Sequence, residues 1–246
     1  MKTILILCGG RSTEHEIALR SAKSVINGLD RKAYHVEVCY IDKEGRFLPL
    51  GALAHIEHEE ELIRTSDRSR PETISDFCLL VERLSAESDT LIVFPVLHGQ
   101  TGEDGEIQGF LQTLGVPYVG NRLTTSALCM DKGFANEVFR ACGLPEADYL
   151  VYTRTQWEAD GKKSDILAKR IADSFGFPCF VKPANNGSSV GVSRATEVTL
   201  ADAVAEAFRF DRRIVIEEEI RGHELEVSVL GNAHPKASLP GSYTST

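Results

Sequence analysis

The sequence predicts an α/β protein that begins with an open parallel sheet, and three observations support this fold class. In the amino-terminal half, short apolar runs typical of buried strands alternate with patterns typical of helices. Polar segments rich in glycine follow the apolar runs, as they do at the carboxyl edge of such sheets. Hydrophobic residues make up 42% of the 246 residues and charged residues 26%, a composition that allows a buried core.

The amino-terminal elements alternate between strand and helix. Residues 3–8 are continuously apolar and predict a buried strand that ends at Gly9-Gly10. Thr13 and Glu16 have the spacing of a capping box and predict a helix that runs to about Leu29. The remaining elements are a strand at 34–41, a polar loop or loose helix at 51–70, a helix at 74–84 and a strand at 90–97. This order predicts ligand binding at the carboxyl ends of the strands.

A second unit follows, with a different order of elements. One helix is predicted at 126–142, closed by Gly143 and Pro145. After it come a strand at 149–152, a helix at 164–175, two strands that flank residues 182–191, a helix at 199–208 and a strand at 213–217. Residues 224–230 alternate strictly between polar and apolar side chains, which predicts one more strand.

Charge and cysteine usage exclude several classes of function. The net charge is −9 and no basic stripe is visible in the sequence, which argues against nucleic acid as a partner. The six cysteines have no Cys-x-x-Cys spacing, so we expect reduced thiols rather than a zinc site or a disulfide framework. The apolar run at 3–8 is too short for a signal peptide, and no later run is long enough to cross a membrane. These features predict a cytoplasmic protein without a membrane partner.

The segment at 182–191, Lys-Pro-Ala-Asn-Asn-Gly-Ser-Ser-Val-Gly, is the most informative stretch of the chain. Its position between two apolar runs predicts a strand, a glycine-serine loop and a strand. Such a loop can turn N–H groups and hydroxyls toward an anion. Gly187 would allow close approach of the backbone and a positive φ, and Lys182 would add a charge. The favoured ligand is a nucleotide phosphate, and the alternative is a polar hairpin with a solvated lysine. The segment is not a Walker A loop, because the lysine precedes the glycine and a strand follows.

Two polar loops follow strands of the first sheet. In the loop at 9–16, Glu14 either complements the dipole of the helix that starts there or binds a cationic group such as an ammonium. The loop at 98–105 contains His98, Glu103 and Asp104 among three glycines. A plain turn explains the glycines but not the three polar residues, and metal binding by them is open, although the loop offers too few spaced ligands for a closed site.

The second unit contains two further candidate segments. Lys132 is either a solvated helix lysine or a second phosphate ligand beside Lys182. The acidic run that starts at Glu217 is either a solvated face or part of a site. Because Glu217 ends an apolar strand, its carboxylate needs a donor, and an adenine amino group would serve. Glu224 would suit ribose hydroxyls, and the backbone of Ile220 the adenine edge; a metal site ranks lower because alternation puts only Glu217 and Glu219 on one face.

Together these motifs resemble the D-alanine–D-alanine ligases of the ATP-grasp superfamily. The matching segments occur in family order along the chain: Gly9-Gly10-x-Ser12-x-Glu14-x-Glu16, His98-Gly99-x-x-Gly102-Glu103-Asp104-Gly105, Val116-Pro117-Tyr118-x-Gly120, Ser126-Ala127-x-x-Met130-Asp131-Lys132, Val181-Lys182-Pro183 with Gly187-Ser188-Ser189-Val190-Gly191, and Gly222-x-Glu224. One small departure is Ile17-Ala18, where many relatives have Val-Ser. The absence of a Gly-x-Gly-x-x-Gly fingerprint argues against the alternative of an NAD-type oxidoreductase.

The resemblance implies a fold and a division into domains. Residues 1–121 would form an amino-terminal α/β substrate-binding domain, of the type that precedes an ATP-grasp domain. Residues 122–217 would form the central ATP-grasp subdomain and 218–246 the start of a carboxyl-terminal one, so that the α+β ATP-grasp domain is incomplete. Family members continue for roughly one more domain's worth of core, with a mobile Lys-Tyr loop, an arginine and the Asp, Glu and Asn ligands of magnesium. We therefore expect a truncated family member.

The resemblance also implies the role of each candidate residue. Glu14 and Ser188 would be catalytic and hydrogen-bonded to each other, and Glu14 with His98 would bind the first D-alanine. The residues implied to hold ATP are Lys132, Lys182, Ser188, Ser189, Val190, Glu217, Ile220 and Glu224. The cofactors would be ATP and Mg²⁺ or Mn²⁺, with no metal ligand assigned in this chain, and the complete protein would be a homodimer.

The implied reaction is the ATP-dependent ligation of two D-alanines for peptidoglycan precursor synthesis. The first D-alanine carboxylate would attack the γ-phosphate of ATP, and the amine of the second D-alanine would displace phosphate from the acyl phosphate. The alternative is an inactive fragment that acts at most as a weak binding module for ATP and D-alanine.

Overall fold

The computed structural model describes residues 1–161 and 164–242 as two α/β units joined through residues 122–148. The first unit contains β1 (Lys2–Gly9), α1 (His15–Gly28), β2 (Tyr34–Ile41), β3 (Phe47–Ala52), a 3-10 turn (Glu59–Leu62), α2 (Arg70–Glu87), β4 (Leu91–Leu97) and α3 (Glu106–Thr113). Then follow α4 (Leu123–Met130), α5 (Lys132–Ala141), β5 (Tyr149–Thr153), α6 (Arg154–Ala159), α7 (Ser164–Ser174), β6 (Cys179–Pro183), β7 (Ser193–Ala195), α8 (Leu200–Phe210) and β8 (Arg213–Glu218).

The first sheet has the strand order β3-β2-β1-β4, and the inner position of β1 explains the apolar run at the amino terminus. Strand β1 lies between β2 and β4 and is parallel to both. Leu5 and Leu7 pack toward α2 and α3, whereas Ile4 and Ile6 pack toward α1. A strand with helices on both faces is apolar at every position, so the predicted open parallel sheet is confirmed for β2, β1 and β4.

The second sheet has the order β5-β8-β6-β7, and all of its pairings are antiparallel. One face is covered by α7 and α8, with Leu167, Val204 and Phe208 in the shared core. The loop that joins β6 to β7, residues 184–192, contains the glycine-serine segment predicted to bind phosphate, and we call it the flap. The flap therefore extends from two paired strands of a packed sheet.

One strand was not predicted from the sequence, and two predictions about local structure are wrong. Residues 47–52 form β3, an antiparallel edge strand that was missed because Pro49 and Gly51 are typical of loops; an edge position tolerates both. The capping box at Thr13 does not form, since Glu14 is the N-cap of α1 and makes no side-chain capping bond. The helix predicted at 126–142 is two helices, because Asp131 adopts an extended ψ of 106° and starts α5 anew.

The segment after β8 also differs from the prediction of one alternating strand. Up to residue 242, where the described part of the chain ends, it contains four strands of two residues each that pair only with one another: Leu225–Glu226, Val229–Leu230, Lys236–Ala237 and Gly241–Ser242. Val229 and Leu230 are 66% and 83% exposed, so this segment adds nothing to either core. Alternation needs a sheet to pack against before it produces a long strand.

Candidate functional site

Glu14 and His98 lie at the carboxyl ends of neighbouring strands. Gly9, the last residue of β1, pairs with Leu97, the last residue of β4. Glu14 follows β1 at the N-cap of α1, and His98 follows β4 directly. The two loops are tied together because the Ser12 hydroxyl donates a hydrogen bond of 2.8 Å to the His98 carbonyl oxygen. Parallel pairing of β1 and β4 thus places both candidates at one sheet edge.

The carboxylate of Glu14 is held between the two units of the chain. The Ser188 hydroxyl donates a hydrogen bond of 2.5 Å to Glu14 Oε1. A Cβ atom placed on Gly99 would lie 2.6 Å from Glu14 Oε2, and one placed on Gly187 would lie 3.4 Å from the same atom. Glu14 is half-buried and makes no ion pair among the residues that the structure describes. The Glu14 carboxylate can therefore bind a cation.

The acids of the His98 loop brace its backbone. Glu103 Oε2 accepts a hydrogen bond of 2.8 Å from the Gly99 N–H, and Asp104 Oδ2 accepts one of 2.8 Å from the Thr101 N–H. His98 Nε2 shares a hydrogen bond of 3.0 Å with the Ser21 hydroxyl on α1. The metal-binding alternative for this loop is thus disfavoured, because both carboxylates already serve its N–H groups.

Lys132 and Lys182 converge beside the flap although they are far apart in sequence. Lys132 donates through Nζ to the carbonyl oxygen of Asn186, and its N–H donates to the Ala184 carbonyl at 3.0 Å. Burial lowers the pKa of Lys132, and the nearby Lys182 ammonium lowers it further. Lys182 forms an ion pair with Glu217. The carboxylates of Glu217, Asp131 and Asp211 act on Lys132 in the opposite direction, so the two ammonium groups offer cationic donors to an anion rather than an excess of positive charge.

The flap is a tight turn whose strained residues are serines. Ser188 and Ser189 have φ values of 48° and 58°, whereas Gly187, predicted to take positive φ, does not. A Cβ placed on Gly187 would make an ordinary van der Waals contact of 3.4 Å with Glu14 Oε2, so Glu14 does not require glycine at this position. Gly191 has a φ of 74°, and a Cβ there would lie 2.5 Å from Phe210 and 2.8 Å from Pro183. Ser189 is exposed and Val190 half-exposed at the tip, so both can contact a ligand.

The three residues predicted to hold adenine and ribose lie on or after β8. Glu217 sits within β8 and uses Oε2 for Lys182, a partner that the sequence did not indicate. Ile220 is 65% exposed and follows the end of β8. Glu224 is exposed and has no hydrogen-bond or ion-pair partner within the described ranges. The structure brings Glu217 to the lysines but does not bring Glu224 to them.

A buried network around Asp131 was missed by the sequence analysis. Asp131 is 4% exposed and caps α5 by accepting from the Phe134 N–H at 3.1 Å. Its Oδ2 also accepts from Arg213 Nη1 at 2.8 Å and from Asn185 Nδ2 at 3.1 Å. These bonds join α5, β8 and the flap loop next to Lys132. An aspartate before a helical run is an N-cap signal, but the prediction of one continuous helix hid it.

Neither a metal cluster nor a membrane helix is present among the described residues. No group of three or more His, Cys, Asp or Glu side chains is placed to hold a metal ion there. Two carboxylates near the lysines are already paired, that of Glu217 with Lys182 and that of Asp131 with Arg213. The described residues therefore do not supply the carboxylate set that Mg²⁺ usually takes. No helix in residues 1–161 or 164–242 is long and apolar enough to cross a bilayer.

Comparison with known proteins links this geometry to one family. A model of the D-ala D-ala ligase N-terminus matches residues 3–121, and a model of the D-ala D-ala ligase C-terminus matches residues 138–245. The chain is 41% identical over 244 residues to the D-alanine–D-alanine ligase of Finegoldia magna. That match covers 98% of this chain, and the chain spans 66% of the length of that relative.

Solved structures give the same result for the fold. The D-alanine-D-alanine ligase from Coxiella burnetii matches with a TM-score of 0.76 and 36% identity, over 99% of this chain and 71% of that one. The VanG D-Ala:D-Ser ligase from Enterococcus faecalis matches with a TM-score of 0.73 and 26% identity, over 98% of this chain and 69% of that one. Both similarities extend across the two sheets and the flap between β6 and β7.

Proposed function

The chain belongs to the D-alanine–D-alanine ligase family, and on that premise we propose that it serves the ATP-dependent ligation of two D-alanines for peptidoglycan precursor synthesis. The observation that carries the proposal is the hydrogen bond between Ser188 of the flap and Glu14 of the first sheet. Through this contact the Glu14 carboxylate, which can accept a cation, lies beside the flap, and Lys132 and Lys182 lie beside the same flap. Such a site suits an amino acid and a phosphate donor together.

In the proposal, Glu14 and His98 bind the first D-alanine. The Glu14 carboxylate accepts its ammonium group, while Ser188 holds that carboxylate in place. Gly99 leaves room for Glu14 Oε2 that a larger residue would fill, since a Cβ there would lie 2.6 Å from that oxygen. The hydrogen bond of His98 with Ser21 and the fixed backbone of the 98–105 loop orient the imidazole at the same edge.

Lys132 and Lys182 bind the phosphates of ATP in this proposal. Their mutual repulsion is relieved when a polyanion lies between them, which is the electrostatic basis of the affinity. Ser188, Ser189 and Val190 would cover the phosphates from the flap. We propose Glu217, the Ile220 backbone and Glu224 for adenine and ribose, as the family resemblance implies.

The residues present act by binding and orientation. The carboxylate of the first D-alanine attacks the γ-phosphate of ATP to give an acyl phosphate and ADP. The amine of the second D-alanine attacks the acyl carbon and displaces phosphate. Positioning of the reactants and neutralisation of charge by the two lysines are the contributions that these side chains make. Mg²⁺ is expected from the family, and because the described residues do not fit it, no step is assigned to it here.

The family resemblance also supports a homodimer in the cytoplasm. It leaves open the second substrate, because one structural relative is named as a D-Ala:D-Ser ligase. A binding module for ATP and D-alanine is the competing proposal, and the binding sites would be the same residues in both.

The test separates binding from turnover. Purified 246-residue chain is titrated with ATP and with D-alanine by calorimetry, and phosphate release is then measured with ATP, Mg²⁺ and D-alanine. D-alanine-dependent release supports the ligase, whereas saturable binding without release supports the binding module. If neither ligand binds, both proposals are wrong.

A substitution tests the assignment of Glu14. Glu14→Gln removes the charge that attracts the ammonium and keeps the shape, so D-alanine binding should weaken by about tenfold or more while ATP binding stays unchanged. Glu16→Gln is the matched control, because Glu16 is exposed and pairs with Lys43 instead. Equal losses for both ligands would show that Glu14 acts only on the structure of the loop.

A further inference from the structure

A separate cavity of about 200 Å³ opens beside the first sheet, between β2, β4, α2 and α3. Its floor is apolar and includes Phe47, Ile74 and Phe110. Phe47 and Phe110 are in aromatic contact, with ring centroids 5.9 Å apart, so this floor is a packed surface. The cavity contains none of the residues proposed above to bind D-alanine or ATP.

Two arginines stand at the cavity without an acidic partner. Arg11 and Arg70 both line it, and both approach the turn at Gly45: a Cβ placed there would lie 3.2 Å from Arg70 Nε and 3.6 Å from Arg11 Cδ. Arg70 donates through Nε and Nη2 to the carbonyl oxygen of Glu44, which leaves Nη1 for a ligand. Within residues 1–161 and 164–242, neither guanidinium lies within 4.0 Å of a carboxylate.

A single acid limits the charge that the cavity accepts. Glu106 also lines it. Burial and the neighbouring Asp104 raise the pKa of Glu106, whereas Arg11 and Arg70 lower it, which places the three side chains near one another. The lining side chains are two cations and one anion, and Asp104 adds a second negative charge beside Glu106. A single carboxylate at the two arginines suits this set better than a dianion, which Glu106 and Asp104 would repel.

We propose that this cavity binds a small apolar monocarboxylate, with its carboxylate at Arg11 and Arg70 and its apolar body on the Phe47, Ile74 and Phe110 floor. A cavity of 150 Å³ holds a benzene ring, so the volume fits an aryl or branched alkyl group. Arginine forks suit carboxylates by geometry as well as charge. Leu97, which precedes the His98 loop, and Thr101, which lies within it, line the same cavity, so an occupant would contact a loop of the proposed D-alanine site.

The direct test uses 4-fluorobenzoate as the probe, followed by fluorine NMR on titration with the 246-residue chain. Saturable binding with a dissociation constant of about 1 mM or tighter is expected for a ligand of about ten heavy atoms. Neutral 4-fluorobenzyl alcohol and small trifluoroacetate should each bind at least fivefold more weakly, because the alcohol lacks the carboxylate and trifluoroacetate lacks the aromatic ring. No ATP or D-alanine is present, so the outcome is independent of the proposed function.

Variants assign the site. Arg11→Met should weaken 4-fluorobenzoate binding by about fivefold or more, while Arg11→Lys, which keeps the charge, should retain most of it. Arg20→Met on α1 is the control, since Arg20 is exposed and lies outside the cavity. The proposal is overturned if 4-fluorobenzoate does not bind saturably, if the neutral alcohol binds as tightly, or if folded Arg11→Met binds like the native chain.

Discussion

Replacement of Asp131 tests whether the buried network holds the flap to the second sheet. The side chain is 4% exposed and accepts from the Phe134 N–H, Arg213 Nη1 and Asn185 Nδ2. Asp131→Ala removes all three bonds at once. Asp131→Asn keeps an N-cap acceptor of equal quality but removes the charge opposite Arg213.

The expected magnitude follows from the separate contacts. Loss of the N-cap costs about 1 kcal/mol. Breaking a fully buried ion pair costs about 3–5 kcal/mol. Arg213 is 27% exposed and its guanidinium also lies 4.2 Å from the Phe134 ring centroid, so water and the aromatic ring reduce that penalty. Asn185 keeps Asp211 as a second partner at 3.1 Å. We expect Asp131→Ala to cost about 2–4 kcal/mol, and Asp131→Asn about half of that.

Thermal unfolding followed by circular dichroism measures the effect. A loss of this size should lower Tm by roughly 5–12 °C in a chain of this length. Asp173→Ala is the matched control, because Asp173 is an exposed aspartate in α7, and it should stay within about 0.5 kcal/mol. A double-mutant cycle with Arg213→Met should show a coupling of at least about 0.5 kcal/mol. A Tm change for Asp131→Ala no larger than that of the control would refute the network.

Three further predictions concern the proposed substrate sites. Lys182→Ala should weaken ATP binding by about 1.5–3 kcal/mol in calorimetry through loss of a charge-assisted contact, whereas Lys169→Ala on the exposed side of α7 should not; equal affinities would contradict the flap assignment. Gly99→Ala should abolish D-alanine binding, since the new Cβ would lie 2.6 Å from Glu14 Oε2. Gly115→Ala controls for backbone strain alone, because Gly115 has a similar φ of 71° but no atom within 4 Å of a Cβ placed there. Equal D-alanine affinities of the two variants would disprove the clash. The lowered pKa of Lys132 means that its charge is lost at lower pH than that of an ordinary lysine, and phosphate binding restores the proton. ATP binding should therefore take up protons, and it should weaken as the pH rises through the range below the ordinary lysine pKa. Calorimetry in two buffers of different protonation enthalpy measures the uptake, and Lys132→Arg should remove it; proton uptake that persists in that variant would assign it to another group.

Much of the fold and some of the site followed from the sequence. Continuous apolar runs predicted β1, β2 and β4, because a strand covered on both faces is apolar at nearly every position. The placement of Glu14 and His98 at one edge followed from the rule that parallel strands share a carboxyl edge. Edge strand β3 was missed because an edge accepts Pro49 and Gly51, which a local pattern takes for a loop.

The sequence by itself determined which residue types stand at the ends of strands, since periodicity and glycine spacing are local properties. Tertiary structure alone decided which of them meet. The partner of Glu217 is Lys182 on the neighbouring strand, and the cap at Asp131 also binds Arg213 from β8. Gly99 proved to be required for the approach of Glu14, because a Cβ there would lie 2.6 Å from Glu14 Oε2. The physical reason is that burial, ion pairing and close approach depend on distances between segments that are far apart in sequence, and those distances arise only when the chain folds and brings the flap to Glu14.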